Sequence, residues 1–386
     1  VESLPPVIYL DHAATSWPKP PSLTEEFARL FSEPLANAGR SGHRASVRAA
    51  RILFETRERL ARLLGVARSE NLIFTRGATE GLNLILKGFL KPGDRVLVSP
   101  LEHNAAMRPL ARLERERGIV VEVLPADAYG RIDPAAARRH CAGSGAALLA
   151  VAHASNANGA VQDLAALREA MPDVPLLIDA AQTAGVLAID LDGLGIDFLC
   201  CSAHKGLLGP MGVGACYISP RYDVLPLCEG GTGSNSESFE HPEFRPDRYE
   251  AGTQNAHGIA GLGAVLATFP ERGLLGDHKR ALSGVLIEGL KRIGGVRVVS
   301  PDDGTALLAS FEIEGWQPNV LTERLEEEHG ILCRPGLHCA PAAHRHLGAF
   351  PAGTVRLSPG WGNTERDVET ALRAVKDIIE RGDARA

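Results

Sequence analysis

The chain has 386 residues, enough to bury a large core and to form two domains. Its 45% hydrophobic and 23% charged residues suit a soluble globular protein, and a net charge of -6 without a basic block excludes the footprint that nucleic acid or an anionic membrane requires. No apolar run approaches a membrane-spanning length. Residues 1–6 carry neither a basic nor an apolar leader region, and seven cysteines occur without a CxxC pair, so a reducing cytoplasm is expected.

Residues 7–10 predict a short apolar strand, followed by Asp11-His12-Ala13-Ala14-Thr15, small residues that either admit a ligand close to the backbone or simply turn the chain. Prolines at 18, 20 and 21 exclude regular structure, and Ser22 is placed to cap a short helix. A glycine-bearing loop at 37–43 leads into a long amphipathic helix over 45–64, marked by Ile52, Phe54, Leu60, Leu63 and Leu64. Residues 71–75 read as a strand, then come Arg76-Gly77-Ala78-Thr79-Glu80-Gly81 and a helical run over 82–89. A strand, a glycine, a hydroxyl and a helix start form either a phosphate cradle or a threonine-capped helix. The spacing is neither that of a Walker loop nor that of a GxGxxG turn.

Strand 95–98 ends in a loop that presents His103, an imidazole able to lie on an aromatic cofactor or to face water. Helix 105–116 and strand 119–124 follow. Strand 148–151 is closed by a loop holding Asn156 and Asn158, of which Asn156 is nearer the strand end and better placed to reach a ligand. Residues 176–178 form an apolar run ending in Asp179, and 198–201 form another ending in Ser202-Ala203-His204-Lys205. A third apolar run covers 212–218. Such runs are buried strands of an α/β sheet, whose polar ends gather at a ligand crevice. An acid after one strand and a lysine after the next suit a pyridine cofactor: the carboxylate holds the ring nitrogen protonated and the lysine forms a Schiff base with an aldehyde on the ring. A surface aspartate and a surface lysine would give the same pattern.

Residues 228–246 are irregular and rich in Gly, Ser, Glu and Pro, as functional loops often are. Tyr249-Glu250-Ala251-Gly252-Thr253-Gln254-Asn255 precedes a helix over 256–268, a break at Pro270 and Gly273, and a helix over 275–293. Strands at 296–299 and 307–311, a helix at 320–328, the segment 331–338 and a helix at 365–379 predict a second, smaller α+β domain. Cys339 lies in a loop between Gly336 and Pro341 with His338 beside it, the setting of a reactive thiol whose thiolate is favoured by the nearby positive charge of Arg334. Cys333 follows Ile331 and Leu332 and is expected to be packed, as are Cys200, Cys201 and Cys216. A zinc site of Cys333, His338, Cys339 and His344 is disfavoured by its spacing. Arg356, within the apolar stretch Val355-Arg356-Leu357, needs a partner, either a substrate carboxylate or an acid of the protein itself.

Taken together, YLDHAAT, TRGATEGLN, LEHN, HASNANGAVQDL, LLIDAAQTAG, CCSAHKGLLGPMGVG, YEAGTQN, RPGLHCAP and TVRLSPGWGNT resemble, in order and over nearly the whole chain, the pyridoxal-phosphate-dependent cysteine desulfurases of the class V aminotransferase fold. The short RPGLHCA context resembles the Suf-type and selenocysteine-lyase-like group, with Leu337 standing where better-known members have a second histidine.

The resemblance implies a fold-type I α/β enzyme with a large domain around a mostly parallel seven-stranded sheet (14–265) and a smaller α+β domain (1–13 and 266–386). It implies pyridoxal 5'-phosphate bound to Lys205, with Asp179 on the pyridine nitrogen, Gln182 on the ring hydroxyl and His103 stacked on the ring. Gly77, Ala78, Thr79, Ser202 and His204 would hold the phosphate, together with Thr253 of the second subunit of a homodimer. Ala13, Asn156 and Arg356 would meet the substrate, and Cys339 would take its sulfur as a persulfide, converting L-cysteine to L-alanine for delivery to a protein acceptor in sulfur trafficking such as iron-sulfur cluster assembly. A selenocysteine lyase, transaminase, kynureninase-like hydrolase or epimerase would use the same Lys205 and Asp179, the last three without Cys339.

Overall fold

The computed structural model describes residues 7–39, 41–141, 143, 145–269 and 274–382. Residues 1–6, Arg40 and the break expected at Pro270 and Gly273 lie outside the described residues. In chain order the first part comprises β1 (Ile8–Tyr9), α1 (Pro21–Ser32), α2 (Arg44–Leu64), β2 (Leu72–Thr75), α3 (Ala78–Phe89), β3 (Arg95–Val98), α4 (Asn104–Arg117) and β4 (Val120–Val123). It continues with α5 (Pro134–Cys141), β5 (Ala146–Ala152), α6 (Leu164–Ala170), β6 (Leu176–Asp179), β7 (Phe198–Ser202) and β8 (Gly214–Ile218).

Seven of these strands form one sheet in the order β2-β8-β7-β6-β5-β3-β4. All neighbours pair in parallel except β8, which is antiparallel to both β2 and β7, so the sheet is mostly parallel as expected. β6, β7 and β8 are buried along their whole length, which is why they read as unbroken apolar runs rather than as alternating ones. Leu53, Leu60, Ala61 and Leu64 recur at helical spacing and put one face of α2 into the core. Gly65 ends that helix at φ 66°, where a Cβ would lie 2.3 Å from Asp190 Oδ1, so only glycine fits this cap. Arg57 of α2 reaches the sheet edge, donating through Nη1 and Nη2 to Glu250 Oε1 and Oε2 at 2.6 and 2.9 Å. It also donates to the Leu72 carbonyl, while Phe74 N–H donates to Glu250 at 2.6 Å, so one buried ion pair ties β2 to the segment that carries Thr253.

The second part holds α7 (Ala256–Ala267), α8 (Leu274–Lys291), β9 (Val296–Val298), β10 (Ala309–Ile313), α9 (Pro318–His329), β11 (Ile331–Leu332), β12 (Arg334–Gly336), α10 (Pro341–His346), β13 (Thr354–Leu357) and α11 (Glu365–Arg381). Here β12-β13-β10-β9 form an antiparallel sheet, and β1 pairs in parallel with β11 through Ile8↔Ile331 and Tyr9↔Leu332. Leu10 therefore packs with Leu286, Phe311 and Val375 in a core separate from those flanking the large sheet. No helix among the described residues is long and apolar enough to cross a membrane.

Two local expectations are corrected. Ser22 does not cap α1: the cap position is Pro20, no side chain caps the helix, and Ser22 Oγ lies 3.3 Å from Thr268 Oγ1. Proline at the start of a helix has no N–H to satisfy, so the run of prolines begins the helix without a cap. α3 starts at Ala78 rather than at 82, and it is not threonine-capped: the Ala78 N–H donates to Ser202 Oγ on β7 at 2.9 Å.

Candidate active site

The parallel strands β5, β6 and β7 end together, and their polar ends line a cavity of about 250 Å³. Thr79, His103, Asn156, Asp179, Gln182, Ser202, His204 and Lys205 all face it, with Ala78 and Ala14 among the small residues in its wall. The stretch 11–16 closes one side because it is latched to the β7 loop. The Ser16 N–H and Oγ and the Lys19 ammonium all donate to the His204 carbonyl, at 2.9 to 3.0 Å.

Part of the cavity wall carries groups able to hold an anion. The N-terminus of α3 points there, bringing Thr79 beside Ser202 and His204. His204 Nδ1 is buried with no hydrogen-bond partner among the described residues, and burial together with Lys205 and Lys19 lowers its pKa to about 4. The neutral ring thus has a free nitrogen to offer. Asp179, 7% exposed, also lines the cavity, with Oδ1 accepting from the Ala181 N–H at 2.9 Å. Gln182 is anchored by donating to the Ala13 carbonyl at 2.9 Å. An anion site, a carboxylate and an amine spaced around one small cavity fit a phosphorylated pyridine aldehyde.

Lys205 lines the same cavity. Burial lowers its pKa, aided by Arg356 and Arg334 and opposed by Asp179. A lowered amine pKa is what a Schiff-base lysine needs, since only the neutral amine attacks a carbonyl. His103 caps α4, its Nδ1 accepting from the Ala105 N–H at 3.0 Å, which places the ring proton on Nε2. Burial lowers its pKa against the pull of Asp179, and Lys205 adds to the lowering.

Glu102, beside His103, was not singled out by the sequence. It is fully buried, and its Oε1 accepts from Ser99 Oγ at 2.6 Å and from the Ala152 N–H at 2.9 Å. It thereby pins the His103 loop to β5, opposite Asp179 in register. Burial raises its pKa to about 8 from 4.5, and Asp179 adds to the rise. Because the folded state binds this proton more tightly than the unfolded chain, the stability it contributes is present below pH 4.5 and is lost as pH rises toward 8. Glu102→Gln should therefore gain thermal stability relative to the wild type as pH is raised from 5 to about 8. Parallel unfolding midpoints that keep a constant gap across that range would contradict a protonated Glu102.

The groups expected to meet substrate lie at the seam between the two parts. Arg356 on β13 is fully buried, donating from Nη1 to the Asn156 carbonyl at 2.9 Å and from Nη2 to Asp11 Oδ1 at 2.5 Å. An acid of the protein, one of the two partners expected for this arginine, is thus present. Asn156 Nδ2 donates to the His338 carbonyl at 2.6 Å, and the Asn104 N–H donates to the Cys339 carbonyl at 2.8 Å. The cysteine turn is therefore bolted to the two loops that carry Asn156 and His103. His338 and Cys339 both have positive φ, 50° and 56°, a strained pair that these contacts hold in place. The turn exposes Cys339, and Arg334 Nη2 lies 4.0 Å from its Sγ. Cys200, Cys201 and Cys216 are buried in strands; Cys333 is part-buried, and desolvation pushes its thiol pKa well up. Cys228, in contrast, is exposed. His338 and His344 both turn Nε2 toward Thr354 Oγ1, at 3.1 and 3.4 Å.

Five predicted residues are not among those lining the cavity: Arg356 and Cys339, at the seam just described, and Gly77, Ala13 and Thr253. Gly77 precedes α3 and packs against Gly214, where a Cβ would come within 2.5 Å of the Gly77 Cα. Ala13 is buried, its N–H donating to Ser358 Oγ at 3.0 Å. Thr253 lies on a different face, accepting from Asn37 Nδ2 at 3.2 Å and lining a surface cavity of about 720 Å³.

Residues 8–371 match the family described as aminotransferase class-V. A probable cysteine desulfurase of Methanothermobacter thermautotrophicus is 33% identical over 97% of this chain and 95% of its own length. One of Pseudomonas aeruginosa is 35% identical, over 96% of this chain and 94% of its own. The solved structure of a cysteine desulfurase from Thermococcus onnurineus superposes with a TM-score of 0.90 at 31% identity, covering 97% of this chain and 95% of that one. The chain belongs to the class-V aminotransferase family, with its fold-type I architecture, and within that family it is closely related to the cysteine desulfurases.

Proposed function

We propose that this protein is a cysteine desulfurase that moves the sulfur of L-cysteine onto Cys339 and releases L-alanine. The observation that carries this is the position of Cys339: an exposed thiol beside a guanidinium, on a turn hydrogen-bonded to the loops that bear Asn156 and His103 of the lysine-containing cavity. Family membership implies pyridoxal 5'-phosphate, which supplies an aldehyde for the substrate amine and a ring that accepts the electron pair of its α-carbon. Thr79, Ser202 and His204 would hold its phosphate, Asp179 its ring nitrogen, Gln182 its hydroxyl, and His103 one ring face.

Arg356 and Asn156 orient the substrate by its carboxylate, so that the side chain points to the cysteine turn. Lys205, once freed, takes the α-proton with its neutral amine. Cys339, whose Sγ lies 4.0 Å from Arg334 Nη2, attacks the substrate sulfur as its thiolate. A sulfur–sulfur bond forms as the carbon–sulfur bond breaks, and the electron pair left on the carbon side is met by a proton on the way to alanine. With L-cysteine and a thiol reductant, the protein should release alanine and sulfide in equal amounts. Sulfide accompanied by pyruvate and ammonia, with no alanine, would contradict the assignment.

Separate cores support a division into a large domain, 14–265, and a small one, 1–13 with 266–386. A homodimer is supported by Phe31, Val47 and Phe54, which are 76%, 57% and 60% exposed on α1 and α2 near the cavity lined by Thr253. Thr253 would reach the phosphate of the partner, so Thr253→Ala should weaken cofactor retention at both sites. A fully active monomer, seen by sedimentation at assay concentration, would rule this out. A cytoplasmic location and a protein acceptor for the persulfide complete the proposal.

A further inference from the structure

Both groups assigned above to the substrate carboxylate are already engaged. Arg356 has one carboxylate partner, Asp11 at 2.5 Å, and one carbonyl partner, Asn156 O at 2.9 Å; its Nε is buried with no partner among the described residues. Asp11 is held next to it by backbone contacts. It bridges Ser358, two residues beyond Arg356, and its carbonyl accepts from the Ala14 N–H at 3.0 Å and from Tyr9 Oη at 3.2 Å. The two ends of this ion pair differ in freedom. The Arg356 side chain is fully enclosed, whereas that of Asp11 is 21% exposed.

A buried guanidinium is costly without a counter-charge, and its fork is satisfied best by a carboxylate. When a second carboxylate approaches the same guanidinium, the two anions repel, and in a site of low dielectric that repulsion is strong. The partner that can turn to water is Asp11. Resting on the assignment of Arg356 as the carboxylate anchor, we propose that Asp11 is an internal placeholder for the substrate carboxylate. It keeps Arg356 paired and oriented while the site is free of amino acid, competes with the incoming carboxylate, and reclaims the guanidinium as alanine leaves. Asp11 is thus a positioning residue that lowers the affinity for amino acids and favours product release.

The test uses the cofactor-loaded protein in a Cys339→Ala background, so that amino acids bind without losing sulfur, and reads the change in cofactor absorbance during titration. Asp11→Asn, which keeps an acceptor but removes the charge, should tighten L-alanine by roughly tenfold or more, in keeping with the scale of desolvated charge pairs. Ethylamine, the same amine without a carboxylate, should bind both proteins equally. Asp11→Glu restores the charge and should return alanine affinity toward the wild-type value. With Cys339 intact, Asp11→Asn should also lower KM for L-cysteine without raising kcat. Should Asp11→Asn not fold, Asp11→Ser gives the same comparison. Unchanged or weaker alanine binding in a folded variant, or equal tightening of ethylamine, overturns the placeholder. Desulfurase activity plays no part in the titration, so the expected ratio in a protein that makes no alanine from cysteine supports the placeholder and overturns the activity.

Discussion

Lys205→Ala should give a colourless protein where the wild type is yellow, with desulfurase activity lower by about 10⁴-fold, the upper end of what a positioned acid–base group contributes. The expectation follows from the cavity. Among its lining residues Lys205 is the only amine, and burial lowers its pKa so that a neutral, nucleophilic form is within reach. Lys205→Arg should fail equally, because a guanidinium keeps its charge and cannot attack an aldehyde or accept the α-proton. Reduction of the wild type with borohydride, followed by peptide mass mapping, checks this directly: the added ring mass belongs on the Lys205 peptide. A mass on Lys19 or Lys279 would move the cofactor elsewhere.

The second large effect is expected at Cys339. Cys339→Ala should keep the colour and still bind L-cysteine, because Cys339 is not among the residues that line the cavity. Alanine release from L-cysteine should fall by more than ~10²-fold, since even misplacing an attacking group by about 1 Å costs that much. Cys333→Ala should leave the rate near that of the wild type. Burial, with Asp11 adding to it, pushes the pKa of its thiol well up, so it offers little thiolate at neutral pH. An Arg334→Leu variant that slowed sulfur transfer while leaving cysteine binding intact would tie the guanidinium 4.0 Å from Sγ to the thiolate rather than to the substrate.

The parts of this site that lie on single short segments were legible in the sequence. Asp179, Ser202 and Lys205 stand at the ends of strands so fully buried that their apolar runs are unbroken, and the polar residue after each run marks the crevice. Cys339 was legible for a similar reason, as a cysteine in a glycine- and proline-bounded turn. Contacts between distant segments were not. Asp11 meets Arg356 across 345 residues and Asn156 meets His338 across 182, and no local pattern announces either. Glu102 was hidden because a buried acid next to a helix start looks like an ordinary polar residue of a capped loop. The helices α5, α6 and α10 span too few turns to display a period, and Ser22 followed a capping rule that the prolines before it made unnecessary.

Passage of sulfur from cysteine to Cys339 can be measured without relying on rates. The cofactor-loaded protein is mixed with L-cysteine for a single turnover, quenched with an alkylating agent, digested and mapped by mass. One additional sulfur atom is expected on Cys339, located by fragmentation because Cys333 lies on the same short stretch, in an amount equal to the alanine released, and none on Cys141, Cys200, Cys201, Cys216, Cys228 or Cys333. Alanine formed with no sulfur on Cys339, or with the persulfide on Cys333 instead, would overturn that transfer.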